Sequence, residues 1–229
     1  MKRLSLSLAA SVCLSGTALA ETAQFNVGGQ PITLPSIDKM CVIDDSTAAA
    51  SQYFSTMAAA QSRMRNVLKV VLVPCAEKAI PEGRQAGILS RWWMVFYNAA
   101  SHKTPQDHPT FNTTFCNTLP GVLKSNGETI RKRLDSVGKE ILQQNLKVDF
   151  SKPFLLDGSC IMPITTTSQP IVYGAAATVV SAGAWFVVAN YTTDQALQPE
   201  LIRDLLSYSE SIRTTNDGNA SATGDAATK

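Results

Sequence analysis

The chain has 229 residues, of which 45% are hydrophobic and 17% charged, which is enough for one domain with a sizeable core. Lys and Arg number 20 and Asp and Glu 18, and the one basic run, Arg131-Lys132-Arg133, fills a single helical turn. A nucleic-acid binder depends on clustered positive charge. The balanced composition therefore argues against nucleic acid as a partner.

The first twenty residues carry the three parts of a secretory signal peptide. Lys2 and Arg3 form a positive n-region, residues 4–14 are a short apolar stretch, and Ala18-Leu19-Ala20 is an A-x-A cleavage site. The alternative, an uncleaved anchor, is disfavoured because the apolar stretch is short and rich in serine. We expect residues 1–20 to be removed, so that the mature protein begins at Glu21 in the periplasm or outside the cell. Loss of Lys2 and Arg3 leaves 18 charges of each sign, a formal charge of zero.

Removal of the signal peptide also removes one of the five cysteines, Cys13. The other four, separated by 34, 41 and 44 residues, are Cys41, Cys75, Cys116 and Cys160. An even number of cysteines in an exported protein indicates structural disulfides, here two bridges with three possible pairings. The wide spacing is unlike the close pairs of zinc or redox sites. We favour Cys41 with Cys75 and Cys116 with Cys160, because the first pair brackets two strand-like segments separated by one helix.

The first half of the mature chain reads as strands around one helix. Residues 32–43 are strand-like and are interrupted by a proline, and a helix to about Met64 follows the capping residues Asp44, Asp45 and Ser46. One helical stripe of this segment is apolar and predicts a face in the core: Tyr53, Met57, Ala60 and Met64. The β-branched run 67–73 predicts a buried strand, and residues 91–99 predict an aromatic one.

The second half begins with a polar loop over residues 101–109 and a helix from about Pro120 to Asn145. Strands are predicted over residues 147–154 and 159–166, joined by a turn at Asp157 and Gly158. A last helix is predicted over residues 199–213. From Thr214 to Lys229 the small polar composition predicts a disordered tail.

Residues 171–191 contain no charge and allow two interpretations. The segment is long enough for a membrane helix, which would make the protein a membrane-attached one. It lacks leucine and flanking basic residues, however, and is rich in β-branched and aromatic residues. We therefore predict a hairpin of two strands, 175–180 and 185–191, that turns at Gly183.

Together these elements predict a single α+β domain over residues 21–213, an antiparallel β-sheet flanked by helices. A resemblance in pattern to a known group lies in three segments, each beside or within a predicted helix: ITLPSIDKMCVID, WFVVANYTTD and LLSYSESIRTTN. In these segments the chain resembles the Mog1/PsbP-like α/β sandwich proteins. The resemblance implies an antiparallel sheet flanked by helices and a group that includes non-enzymatic binding and assembly proteins. It implies no catalytic residues.

Catalytic and metal motifs are weak in this sequence. The only histidines are His102 and His108, which could form a loose metal site with Asp107, although such a polar loop is more often simply exposed. The chain has no G-x-S-x-G motif and no dinucleotide fingerprint, so we predict no cofactor. The remaining enzymatic alternative is a hydrolase with a site around Ser101, His102 and Asp107.

The aromatic strand offers a different kind of candidate. Strand alternation places Trp92 and Phe96 on one face and Trp93 and Tyr97 on the other, so both faces are apolar. The strand is then either covered on both faces or exposes an aromatic recognition surface. We expect a non-enzymatic exported binding or accessory protein, whose partner is an envelope protein or an apolar ligand.

Overall fold

The structure, a computed structural model, describes residues 22–27, 30–43, 48–78, 90–98, 107–137, 139, 148–166, 172–179, 184–192 and 197–224. The predicted signal peptide lies outside these ranges. The strands are β1 (Ala23–Val27), β2 (Gln30–Leu34), β3 (Met40–Ile43), β4 (Asn66–Pro74), β5 (Arg91–Asn98), β6 (Val148–Phe150), β7 (Phe154–Leu156), β8 (Ser159–Thr166), β9 (Val172–Val179) and β10 (Ala184–Thr192). The helices are α1 (Ala48–Arg63), α2 (His108–Val137) and α3 (Gln198–Gly224), with a 3-10 turn at Cys75–Glu77.

Eight strands form one antiparallel sheet in the order β3-β4-β5-β10-β9-β8-β6, with β7 also paired to β8. Strands β1 and β2 pair separately as a hairpin. Mixed helices and antiparallel sheets confirm the predicted α+β class.

Helices cover both faces of the large sheet. On one face, which we call the α3 face, apolar residues of α3 and of the β1–β2 hairpin pack on the sheet strands. The largest fully buried members are Trp93, Phe186, Ile32, Leu34, Ile161, Leu201, Leu205 and Ile212. On the opposite face, which we call the α1–α2 face, α1 packs through Tyr53 and Met57, and α2 packs through Phe111 onto Trp185. Of the apolar stripe predicted for α1, Tyr53, Met57 and Ala60 are buried, whereas Met64 is half-buried and follows the end of the helix.

The run of hydrophobic residues in β4 follows from its central position. Val70 and Leu72 face the α3 side, whereas Leu68, Val71 and Val73 face the α1 side. A register shift against β5 between Leu68 and Val70 allows Leu68 and Val71 to share a face. Because both faces are covered, the strand needs apolar residues at nearly every position.

The uncharged segment forms the predicted hairpin. Strand β9 pairs antiparallel with β10 along their length, so residues 172–179 and 184–192 are strands and not a membrane helix. The predicted turn at Gly183 lies outside the described residues. Among the described residues, none of the helices is both long and apolar enough to cross a membrane.

Helix α2 begins twelve residues earlier than predicted, at His108. Asp107 accepts a hydrogen bond from the backbone N–H of Thr110 at 2.9 Å and so caps the helix start. Pro109 fits the first turn, where no backbone N–H is needed. Pro120, which we predicted as the start, lies inside the helix and is exposed. The structure describes α2 as far as Val137, and the predicted end at Asn145 lies outside the described residues.

Helix α3 continues past the predicted end at Arg213 to Gly224, and the disorder predicted for the tail stays a prediction. Asn216 explains part of this extension. Its side chain accepts from the backbone N–H of Thr33 and donates to the Thr33 carbonyl, both at 2.9 Å. These two bonds join the late turns of α3 to β2, which sequence patterns cannot reveal.

Two disulfides are present, with the favoured pairing: Cys41–Cys75 and Cys116–Cys160. The first joins β3 to the end of β4, where the backbone N–H of Cys75 also donates to the Lys39 carbonyl at 2.8 Å. The second joins α2 to β8. Each bridge therefore fixes an element at the outer part of the fold to the sheet.

Candidate binding cleft

The aromatic strand β5 lies inside the sheet, between β4 and β10. Trp93 is 1% exposed and belongs to the α3-face core, whereas Trp92 is half-buried on the opposite face. Trp92 stacks on Tyr191 of β10 with ring centroids 5.1 Å apart. Phe96 and Tyr97 are also half-buried, on opposite faces. The alternation predicted for the strand is correct, and both of its faces are covered.

No residue of β5 is among the exposed large apolar side chains of the described chain, which are Val122, Phe154, Leu155 and Leu156. An open aromatic surface on β5 is therefore absent from this conformation. The binding role predicted for its four aromatic residues stays a prediction. Because none of them forms an open surface, such a role would require an aromatic residue that lines a cavity.

The alternative hydrolase site is only partly within the described residues, because Ser101 and His102 lie outside them. Asp107 is engaged as the cap of α2, and the backbone N–H of Thr110 holds the pKa of its carboxyl below the usual range. His108 is half-buried beside Asn112, and burial lowers the pKa of its imidazole. Within the described residues, no three His, Cys, Asp or Glu side chains are grouped so that they could hold a metal ion.

One cavity does include an aromatic residue singled out by the sequence. A cleft of about 610 Å³, which we call the α3 cleft, lies between α3, the β2–β3 connection and the starts of β3 and β5. This volume is in the range of small-molecule sites, roughly 300–1,000 Å³. Its apolar lining is Ile37, Met40, Pro74 and Trp93. The Cys41–Cys75 disulfide lies directly next to two of these residues and holds that wall together.

The polar lining of the α3 cleft contains an ordered cluster. Arg91 and Asp204 form an ion pair at 2.9 Å, and the Arg91 guanidinium lies 5.8 Å from the centroid of the Trp93 ring. Tyr208 meets Trp93 edge to face at 5.1 Å, and its hydroxyl donates to the Pro35 carbonyl at 3.0 Å. Burial raises the pKa of Tyr208, which keeps the phenol neutral. These contacts link Arg91, Trp93, Asp204 and Tyr208 to one another.

Two hydrogen-bond donors of this cluster have no acceptor. The indole Nε1 of Trp93 and the guanidinium Nε of Arg91 are shielded from solvent and unpartnered among the described residues. A buried polar group without a partner costs about 1–3 kcal/mol, and such groups are rare in folded proteins. Both unsatisfied donors belong to residues that line one cleft.

The rim of the cleft carries charge and strained backbone. Asp38 and Lys39 are exposed, and neither forms an ion pair with another described residue. Lys39 has a φ of 59°, a left-handed conformation that costs a side-chain-bearing residue about 1 kcal/mol or more. Hydroxyl groups complete the lining: Ser36, Ser207 and Ser211. This arrangement can hold a ligand through hydrogen bonds and apolar contact, but it has no nucleophile paired with a base.

Sequence reasoning found Trp93 but missed the other cleft residues. Arg91, Asp204 and Tyr208 come from segments more than one hundred residues apart and carry no common motif. The only local signal was the position of Arg91 immediately before the two tryptophans.

Comparisons with protein-family models, curated proteins and solved structures give no match for this chain. The resemblance to the Mog1/PsbP-like group therefore stays a prediction. The candidate function accordingly depends on the geometry of the α3 cleft.

Proposed function

We propose that this chain is an exported, non-enzymatic binding protein whose ligand occupies the α3 cleft. The observation that carries the proposal is the buried indole N–H of Trp93, which has no acceptor among the described residues although Trp93 lines a cleft of about 610 Å³. A ligand with an acceptor atom would satisfy this donor after a small adjustment of the cleft wall. The Mog1/PsbP-like resemblance supports the proposal, because that group includes binding proteins.

Export is part of the same proposal. The n-region, apolar stretch and A-x-A site of residues 1–20 support cleavage before Glu21. Two disulfides are compatible with an oxidising compartment. Intact-mass analysis of the protein recovered from the periplasm or medium should give the mass of residues 21–229 with two disulfides. A mature protein that retains Met1 would contradict export by cleavage.

The binding proposal can be tested with a variant that fills the cleft from its surface. Ser207 lines the cleft and is exposed, so Ser207→Phe adds bulk there without changing the core. Native mass spectrometry of the exported protein should show a retained small molecule with the wild type and none with Ser207→Phe.

Thr214→Phe is the matched control, because Thr214 is exposed on the same helix and does not line the cleft. This variant should retain the ligand like the wild type. Retention by Ser207→Phe equal to that of Thr214→Phe would contradict the α3 cleft as the site. A wild type that carries no ligand and takes none up from envelope extract would contradict the binding function.

A further inference from the structure

The two unsatisfied donors of the α3 cleft point to the chemical class of its ligand. We infer that the ligand carries a single carboxylate on a compact apolar body, an inference that rests on the proposed binding function. The carboxylate would be held by Arg91 and by the Trp93 indole N–H, and the body by the apolar lining.

The donors determine the charged end. Trp93 Nε1 and Arg91 Nε both require an acceptor, and the structure provides none to either atom among the described residues. Guanidinium groups bind planar carboxylates through two parallel N–H donors. Arg91 already contacts one carboxylate, that of Asp204, through Nη2 at 2.9 Å. Because Nε remains without a partner, the guanidinium has capacity for a second oxygen.

The charges of the lining determine how much negative charge the ligand can carry. The cleft contains two cations, Lys39 and Arg91, and two anions, Asp38 and Asp204. A dianion such as a phosphate monoester would meet both aspartates without a surplus of positive charge. A monoanion can share Arg91 with Asp204, whose side chain is 34% exposed and so stays partly solvated beside the ligand.

The apolar lining determines the rest of the ligand. Trp93, Met40, Ile37 and Pro74 offer an apolar surface on which an aromatic or branched aliphatic group can pack. The volume of about 610 Å³ accommodates such a group together with its carboxylate.

Isothermal titration of the mature protein can compare three ligands with the same phenyl group: hydrocinnamate, its neutral amide and phenyl phosphate. They differ in whether the polar end is a carboxylate, a neutral amide or a phosphate. Hydrocinnamate should bind at least about tenfold more tightly than the amide, because charge-assisted hydrogen bonds are worth more than neutral ones. It should also bind more tightly than phenyl phosphate. Equal or tighter binding of the amide or the phosphate overturns the carboxylate inference.

If the amide or the phosphate binds to the wild type and fails to bind to Ser207→Phe, the α3 cleft is still supported as the binding site. No detectable binding of hydrocinnamate also overturns the inference, whereas a ligand retained in native mass spectrometry would still support the binding function.

Substitutions of the ion pair should have opposite effects. Arg91→Gln should weaken hydrocinnamate binding about tenfold or more, because it removes the guanidinium. Asp204→Asn should strengthen binding about two- to fivefold, because it removes the competing anion. If the pair were purely structural, both variants would change affinity in the same direction or leave it unchanged. Either outcome overturns the inference, and Asp204→Asn keeps the test valid if Arg91→Gln folds poorly.

Discussion

The two faces of the sheet hold their helices by different interactions. Helix α3 lies on its face through side chains that are almost fully buried, chiefly Leu201, Leu205 and Ile212. Helix α2 presents a small aromatic contact around Phe111 and is further attached by the Cys116–Cys160 disulfide and by the hydrogen bond of Asn112 to the Cys160 backbone. Burial of apolar area thus stabilises the α3 face, and covalent and polar bonds stabilise the α2 attachment. The α3 face also contains the cleft whose lining includes the unpartnered donors of Arg91 and Trp93.

The largest expected effect concerns the disulfide of α2. Replacement of both cysteines, Cys116→Ser with Cys160→Ser, should lower the free energy of unfolding by about 4 kcal/mol, because the bridge closes a long loop. Urea unfolding measures this change. Loop length alone predicts nearly the same loss for Cys41→Ser with Cys75→Ser, since the sequence separations are 44 and 34.

Hydrogen exchange shows which helix depends on the Cys116–Cys160 bridge. Without Cys116–Cys160, the amides of α2 should lose protection while those of α3 keep theirs, because α3 is held by burial. Equal loss of protection in α2 and α3 would contradict the proposed difference between the faces.

A smaller loss of stability is expected when the apolar packing of α3 is truncated. Leu205 is 0% exposed, so Leu205→Ala should cost about 3 kcal/mol through lost burial and the cavity that remains. Val122→Ala on α2 is the control, because Val122 is 44% exposed and its truncation should change stability by less than about 0.5 kcal/mol. Denaturant midpoints of both variants give the comparison. A Leu205→Ala loss no larger than that of the control would mean that α3 is not held by burial.

A smaller effect is expected from the polar attachment of α2. Asn112 is fully buried, accepts from the backbone N–H of Cys160 at 3.0 Å and donates to the His108 carbonyl at 3.0 Å. Asn112→Ala leaves the Cys160 N–H unsatisfied and should cost about 2 kcal/mol. Asn126→Ala, an exposed asparagine on the same helix, should be close to neutral in thermal unfolding. Similar losses for both variants would rule out a specific role of the buried amide.

The smallest effect is pH-dependent and concerns the start of α2. The Thr110 N–H lowers the pKa of Asp107 in the folded protein. Its contribution to stability is therefore complete above the ordinary aspartate pKa, about 4, and is lost as the pH falls through the lower folded value. Asp107→Asn should have a flatter dependence of melting temperature on pH in that acidic window. Identical slopes for the two proteins would show that the cap does not titrate.

Local patterns in the sequence predicted much of the fold. The β-branched run of β4, most of the apolar stripe of α1 and strand β8 are in the predicted places because each pattern reflects burial along one element. The disulfide pairing followed from the elements that the cysteines bracket. The turn at Asp157 and Gly158 has two positive φ values, 49° and 76°, as a tight hairpin turn requires.

Long-range contacts explain the errors. The first half of α2, rich in Asn and Thr, has low helix propensity and is held by its disulfide and by Asn112. The end of α3 depends on Asn216 bonding to Thr33, which is 183 residues away in sequence. Strand β1 was not predicted, because its Val27 is buried in one core cluster with residues of α3 that are distant in sequence. The lining of the α3 cleft likewise comes from segments that are distant in sequence, so Trp93 alone was predicted as a binding residue.

The central claim is that a ligand enters the α3 cleft and satisfies the Trp93 indole N–H. Two-dimensional nitrogen–proton NMR of the mature protein resolves the indole signals, and Trp93→Phe identifies the one of interest. On addition of the small-molecule fraction of envelope extract, the Trp93 signal should move downfield while that of Trp185, on the opposite face, stays in place. The shift should be absent in Ser207→Phe. An unmoved Trp93 signal, or one that moves equally in Ser207→Phe, would contradict the account.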